Sequence, residues 1–156
     1  MSGIEALSSF LDRIAQAVTA ILLASILVIM SVQVFFRYIL NFSFFWSEEL
    51  VRYLFFWTAF LGGATAFKRG DHLVADILIN YLKGPMRKII LFAADFVIMT
   101  TLIVLLYYGA KLTLAVMPSA SIALNISMAI PYGIIPIGSL LMLIHHLAYI
   151  YRRIRL

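Results

Sequence analysis

The chain contains no cysteine, which removes disulfides, thiolate zinc sites, iron–sulfur ligation and a cysteine nucleophile together. With no cysteine usage to read, the redox compartment stays open. Charge is scarce as well. Asp, Glu, Lys and Arg make up 12% of residues, about half the roughly 25% of a soluble domain. No low-complexity tract, internal repeat or long linker divides the 156 residues, so a single unit is expected over 1–156. What is abundant is apolar surface: 64% of residues are hydrophobic and the mean hydropathy is +1.04. A soluble domain carries about 45–50%, and a globule this small could not hide so much from water. Lipid must cover much of it, so the chain is an integral membrane protein.

The net charge of +5 resembles a nucleic-acid signal, but the basic residues cluster at helix ends rather than along one face. In a membrane protein that pattern reports orientation, and no nucleic-acid partner is expected. Glu5 and Asp12 precede the first apolar run, with no earlier basic residue. That run is too long for a signal-peptide core and lacks a cleavage site. It is expected to be retained as the first transmembrane helix.

Four spans are predicted, over about 14–36, 48–67, 89–111 and 128–151. Ile14 to Phe36 is 23 residues without a charge, roughly 35 Å of helix against a hydrocarbon core of about 30 Å. Arg37 and Tyr38 close it as a snorkelling cation and an interfacial aromatic. Tyr53 to Phe67 gives only 15 uncharged residues, about 22 Å and too short to span. The second helix must therefore begin in the Trp46–Arg52 segment, with Ser47 as N-cap and Glu48 and Glu49 in the first turn. Arg52 lies within reach of either glutamate on one helix face. Ala59, Gly62, Gly63 and Ala66 form a small-residue patch for close helix approach.

Residues 73–83 are too short and too charged to span. They are predicted to form an amphipathic helix in the interface plane, in contact with membrane lipids. The third span contains Asp95. Forty residues from Leu112 to Tyr151 carry no charge beyond two histidines, and Pro118, Ser119, Ser121 and Asn125 supply the necessary break. Pro131, Gly133, Pro136 and Gly138 predict a bend or a late start in the fourth span.

Orientation follows from the cations. With both termini and the 68–88 segment on one side, that side holds nine basic residues, against Arg37, Arg52 and Lys111 on the other. The positive-inside rule then places both termini in the cytoplasm.

Chemistry has few places to reside. Asp95 is the acid well inside a span, and such residues are the default functional suspects. A relay would need partners at depth. A carboxylate near the inner interface, satisfied by a neighbouring helix or by Lys88 through water, is the simpler reading. Glu48, Glu49 and Arg52 read as capping and pairing or as a subunit contact ahead of a substrate site, and Trp46 reads as an interfacial anchor. His145 and His146 are adjacent, so they point about 100° apart and make no metal pair; they read as part of an inner interfacial belt. No nucleophile triad, phosphate loop or metal-ligand motif is present. Neither enzymatic activity, cofactor nor metal is expected.

The run Q-V-F-F-R-Y (33–38), then W-S-E-E-L-V-R-Y (46–53), then G-G-A-T-A-F-K-R-G-D-H (62–72) resembles the small Q-type membrane subunit of tripartite ATP-independent periplasmic (TRAP) transporters. The segment 121–133 and the basic C-terminus are also similar, so the resemblance covers nearly the whole chain. Its most specific part is W-x-E-E-x-x-R. Trp46, Glu48, Glu49, Arg52, Gly63 and His72 match the family pattern and Arg37 matches it more loosely; Ser127 stands near where many relatives have proline. The resemblance implies a bacterial inner-membrane subunit that pairs with a large elevator-type membrane subunit. It implies sodium-driven uptake of an organic acid, such as a C4-dicarboxylate or sialic acid, delivered by a periplasmic substrate-binding protein. Relatives exist with the two membrane subunits fused. This chain stops at Leu156, so a separate partner is expected. The expected partner interface is Arg37, Trp46, Glu48, Glu49, Arg52, Gly62, Gly63 and His72. The alternatives are a small proton-coupled four-helix exporter, which would depend on Asp95, and a membrane anchor subunit.

Overall fold

The structure is a computed structural model, and it describes residues 3–69 and 85–155. Among the described residues five helices follow in order: α1 (Gly3–Ile39), α2 (Phe45–Arg69), α3 (Pro85–Val116), α4 (Ala129–Tyr132) and α5 (Ile134–Arg155). No strand occurs among the described residues. Four segments are long and apolar enough to cross a membrane: Leu7–Ile39, Phe45–Lys68, Ile89–Val116 and Ala129–Tyr151. The four-helix membrane architecture is therefore as expected. The interfacial helix expected over 73–83 lies outside the described residues.

α1 begins well before the uncharged run that opens at Ile14, so Asp12 and Arg13 sit on a continuous helix. The chain leaves α1 through Asn41, whose φ of 50° lies in the left-handed region that asparagine tolerates better than most residues. The Phe42 N–H bonds to the Phe36 carbonyl at 3.2 Å. Phe36 and Phe42 each meet Phe44 edge-on, and Phe44 lies tilted against Trp46. This aromatic turn suits the membrane–water boundary. Phe45 opens α2, so Ser47 lies inside the first turn and is not its N-cap; its hydroxyl donates to the Phe44 carbonyl at 2.7 Å.

α5 is the central helix. It packs against α2 and α3 and also touches α1, while α1 packs mainly on α2. A third of the span ending in α5 is buried inside the protein, against 6–11% of the other three, so the remaining apolar surface faces outward. Close approach to α5 depends on glycine at two positions. A Cβ on Gly109 of α3 would lie 2.5 Å from Ile135 Cγ2, and one on Gly138 of α5 would lie 2.8 Å from Phe60 Cδ1. The expected interruption of the last span is slight. α4 ends at Gly133, which keeps right-handed helical geometry (φ −60°, ψ −20°), and α5 continues directly.

Candidate functional site

Polar groups gather at the two ends of the bundle. At the end bearing the α1–α2 turn, Glu49 projects from α2 onto the 117–128 connection. One carboxylate oxygen accepts the backbone N–H groups of Ala123 (2.7 Å) and Leu124 (3.2 Å), and the other accepts the Tyr53 hydroxyl. The connection is itself a narrow hairpin. Ser121 N–H donates to the Ile126 carbonyl, Met128 N–H donates to Ser119, and Asn125 takes a φ of 52°. Ser127 donates its hydroxyl to the Met117 carbonyl and accepts the Ala129 N–H beside the start of α4. Trp57 adds a bond from its indole N–H to the Ile130 carbonyl at 3.3 Å. The result is a rigid hairpin clamped to α2 that holds Ile122 98% exposed at its tip.

Glu49 thus replaces the expected Glu49–Arg52 pairing with a clamp on distant backbone. Charge-assisted bonds to backbone N–H groups are among the stronger hydrogen bonds. For Glu49→Gln we expect the Ala123 and Leu124 amides to lose their protection from hydrogen exchange while the α2 core amides keep theirs. Unchanged exchange at both amides would refute the clamp.

Arg37 of α1 and Glu48 and Arg52 of α2 line one groove of about 440 Å³ between the two helices together with Gln33, and Arg52 also borders the cavity beside Glu49, Tyr53 and Ile122. The Gln33 amide donates to Glu48 at 3.4 Å. Among the described residues no carboxylate lies within ion-pair distance of either arginine, so the Glu48–Arg52 pairing expected from i, i+4 spacing is absent as well. Trp46 is 42% exposed, as an interfacial anchor would be. A Cβ on Gly63 would lie 2.9 Å from Met142 Cε, whereas a Cβ on Gly62 would meet nothing within 4 Å. His72 lies outside the described residues.

The opposite end joins all four long helices. Asp12 of α1 pairs with Lys68 of α2 at 3.0 Å and also accepts the Gln16 amide. Ser8 of α1 meets His145 Nδ1 at 2.8 Å, and His146 Nε2 lies 3.7 Å from an Asp95 oxygen on α3. Both histidines are fully buried, which corrects their expected place in an interfacial belt. Their 100° divergence, which rules out a metal pair, is what lets α5 reach α1 with one ring and α3 with the other. Asp95 therefore has a neighbour on another helix, His146 of α5. No group of three metal-ligating side chains occurs among the described residues.

Sequence reasoning missed Gln33, Tyr53, the Asp12–Lys68 pair and the burial of the histidines. Asp12 and Lys68 were findable, because the charge asymmetry already placed both on one side of the membrane. Tyr53 was findable too, because it lies four residues after Glu49 on the same helix face, whereas the contact of Gln33 with Glu48 joins two helices and left no local signal.

Comparison with known proteins agrees with this architecture. The family model described as "Tripartite ATP-independent periplasmic transporters, DctQ component" matches residues 26–156. The chain is 25% identical over 150 residues to the sialic acid TRAP transporter small permease protein SiaQ of Vibrio cholerae, covering 96% of this chain and 87% of that one. It is 35% identical over 99 residues to the C4-dicarboxylate TRAP transporter small permease protein DctQ of Rhodobacter capsulatus, covering 62% of this chain and 44% of that relative. A Haemophilus influenzae protein named for the TRAP transporter small permease is 39% identical over 79 residues, 48% of this chain and 49% of its own length. The chain thus spans about half or less of the Haemophilus and Rhodobacter relatives. This is a transporter family and not an enzyme family, and with its four spans the chain is a multi-pass bacterial inner-membrane protein. It belongs to the DctQ family of TRAP transporter small permease subunits.

Proposed function

We propose that this chain braces the large membrane subunit of a tripartite transporter. It would form the static scaffold against which that subunit's transport domain moves, elevator-fashion, in sodium-driven uptake of an organic acid. The acid would be a C4-dicarboxylate, a sialic acid or a similar anion, captured by a periplasmic substrate-binding protein. Both termini would lie in the cytoplasm, which puts the Glu49-clamped hairpin on the periplasmic side.

The observation that carries this reading is the outward face of α2. Phe55, Ala59, Gly62 and Ala66 recur at helical spacing; Phe55 is 64% exposed and the space over Gly62 is open. A strip of small residues lets a neighbouring helix approach the backbone closely. Trp46 and the groove at Arg37, Glu48 and Arg52 border that face. Asp95 is assigned a structural pairing with His146 rather than a relay, because that pairing ties α3 to α5.

Gly62→Leu separates this role from folding. The isolated chain should keep its stability within about 0.5 kcal/mol, as surface substitutions generally do, while co-purification with the large subunit is lost. Sodium-driven uptake at the wild-type level in cells lacking this chain, or full co-purification of the leucine variant, would sink the proposal.

A further inference from the structure

The 117–128 hairpin lies between the third and fourth spans, where a connection is expected to stand in water. Its make-up does not suit water. It carries no charged residue, and its serines bond back to its own backbone: Ser121 Oγ accepts the Ile126 N–H, and Ser127 donates to the Met117 carbonyl. Its apolar side chains point the other way. Ile122 at the tip is 98% exposed and Met117 at the foot is 61% exposed.

The backbone is provided for in the same sense. Pro118 has no N–H to satisfy. The N–H groups of Ser119, Ser121, Ile126 and Met128 find acceptors in or beside the hairpin, and those of Ala123 and Leu124 end on Glu49. A loop in water can leave such groups to the solvent. One at the edge of the hydrocarbon must satisfy them inside the protein.

Depth agrees with this. Glu49 lies four residues past Phe45, the start of α2, roughly 6 Å along the helix. Exposed Tyr38, Phe45 and Trp46 mark that start, and such aromatic residues sit at the membrane–water boundary. The hairpin does not rise clear of this rim. Its tip borders the same cavity as Tyr53 and Phe56, eight and eleven residues past Phe45. The chain that leaves it is bonded lower still, from the Ile130 carbonyl to the Trp57 indole. A soluble partner is steered and selected largely by charge, and the hairpin has none to offer.

We propose that the hairpin is an interfacial anchor whose occupant is lipid. Ile122 and Met117 lie among the headgroups and first acyl carbons of the leaflet at the α1–α2 turn. Glu49 keeps the tip there by accepting two backbone N–H groups that water no longer reaches. The anchor belongs to the full chain alone and goes beyond the bracing role, so either idea can fail without the other.

The chain has no cysteine, so Ile122→Cys supplies a single site for a nitroxide label. In nanodiscs of dioleoyl phosphatidylcholine, the label's collisions are measured with oxygen, which concentrates in lipid, and with a water-soluble nickel chelate. Val28→Cys, 63% exposed within the first span, is the lipid reference, and free label in buffer is the water reference. At position 122 oxygen collisions should approach those at position 28, and nickel collisions should fall well below those of free label. Met117→Cys should give the same result at a second site. Circular dichroism melts matching the parent exclude misfolding as the cause. Adding Glu49→Gln should return nickel access to position 122. Nickel collisions equal to those of free label at both sites would put the hairpin in water and overturn the anchor. Exclusion of both reagents would overturn it in favour of a second copy of the chain, and oxygen collisions lost whenever the large subunit is co-reconstituted would make the tip a protein contact. Unchanged nickel access in the Glu49→Gln chain would overturn the part assigned to Glu49.

Discussion

Replacing Asp12 by alanine is expected to destabilise the bundle by about 3 kcal/mol, at the lower end of the range for removing one partner of a buried ion pair. The side chains of Asp12 and Lys68 are only 9% and 20% exposed, so water does not take over for the lost carboxylate. Lys68 lies at the last turn of α2 and can extend partway to the headgroups, which is why the lower figure applies. The loss also removes the acceptor of the Gln16 amide and an anion close to His145. Thermal unfolding of the purified chain should show the drop in Tm. Adding Lys68→Met should recover a large part of it, because a missing pair costs far less than an unpaired charge. A double variant no more stable than Asp12→Ala would refute this account, and so would a single variant that melts like the parent.

The second large effect is steric. Gly138→Val places a Cβ within 3 Å of both Phe60 Cδ1 and Phe60 Cβ. A ring can rotate away, but Phe60 Cβ is fixed to the α2 backbone, so α2 and α5 must separate. Overpacking of this kind costs about 1–3 kcal/mol. It strikes the helix that holds the bundle together, so loss of a monodisperse folded chain in detergent is expected. The contrast is Gly62→Leu, which adds a larger side chain to the same pair of helices at a position where nothing is met. If Gly138→Val and Gly62→Leu proved equally stable, the packing of α2 on α5 described above would be wrong.

These two positions show how far a linear reading reaches. Small residues at 59, 62, 63 and 66 announce close helix contact, because only they let backbones approach in lipid. They do not say whether the contact is made within the chain or with a partner. Gly63 and Gly62 are neighbours in sequence, yet one meets Met142 and the other meets open space. The same limit governs the W-x-E-E-x-x-R segment. Spacing allowed Arg52 to pair with either glutamate; instead Glu49 clamps the hairpin at Ala123 and Leu124, while Glu48 turns to Gln33 and no carboxylate among the described residues lies within ion-pair distance of Arg52. An i, i+4 pair is worth only a few tenths of a kcal/mol. Tertiary donors outweigh it readily.

The amino-acid sequence by itself determined that the chain lives in a membrane and crosses it four times. Those conclusions rest on hydropathy summed over about 20 residues at a time, a signal too large for any single contact to reverse. The W-x-E-E-x-x-R segment also carried the family. Only the tertiary structure decided which polar groups meet. It buried His145 and His146 at the centre of one end, joined Asp12 to Lys68, and left Arg37 and Arg52 open beside an orphaned Gln33 carbonyl. In a bilayer a polar side chain must find its partner within the protein or at the headgroups. Which partner it finds is set by how the helices rotate and cross, and no local stretch of sequence encodes that.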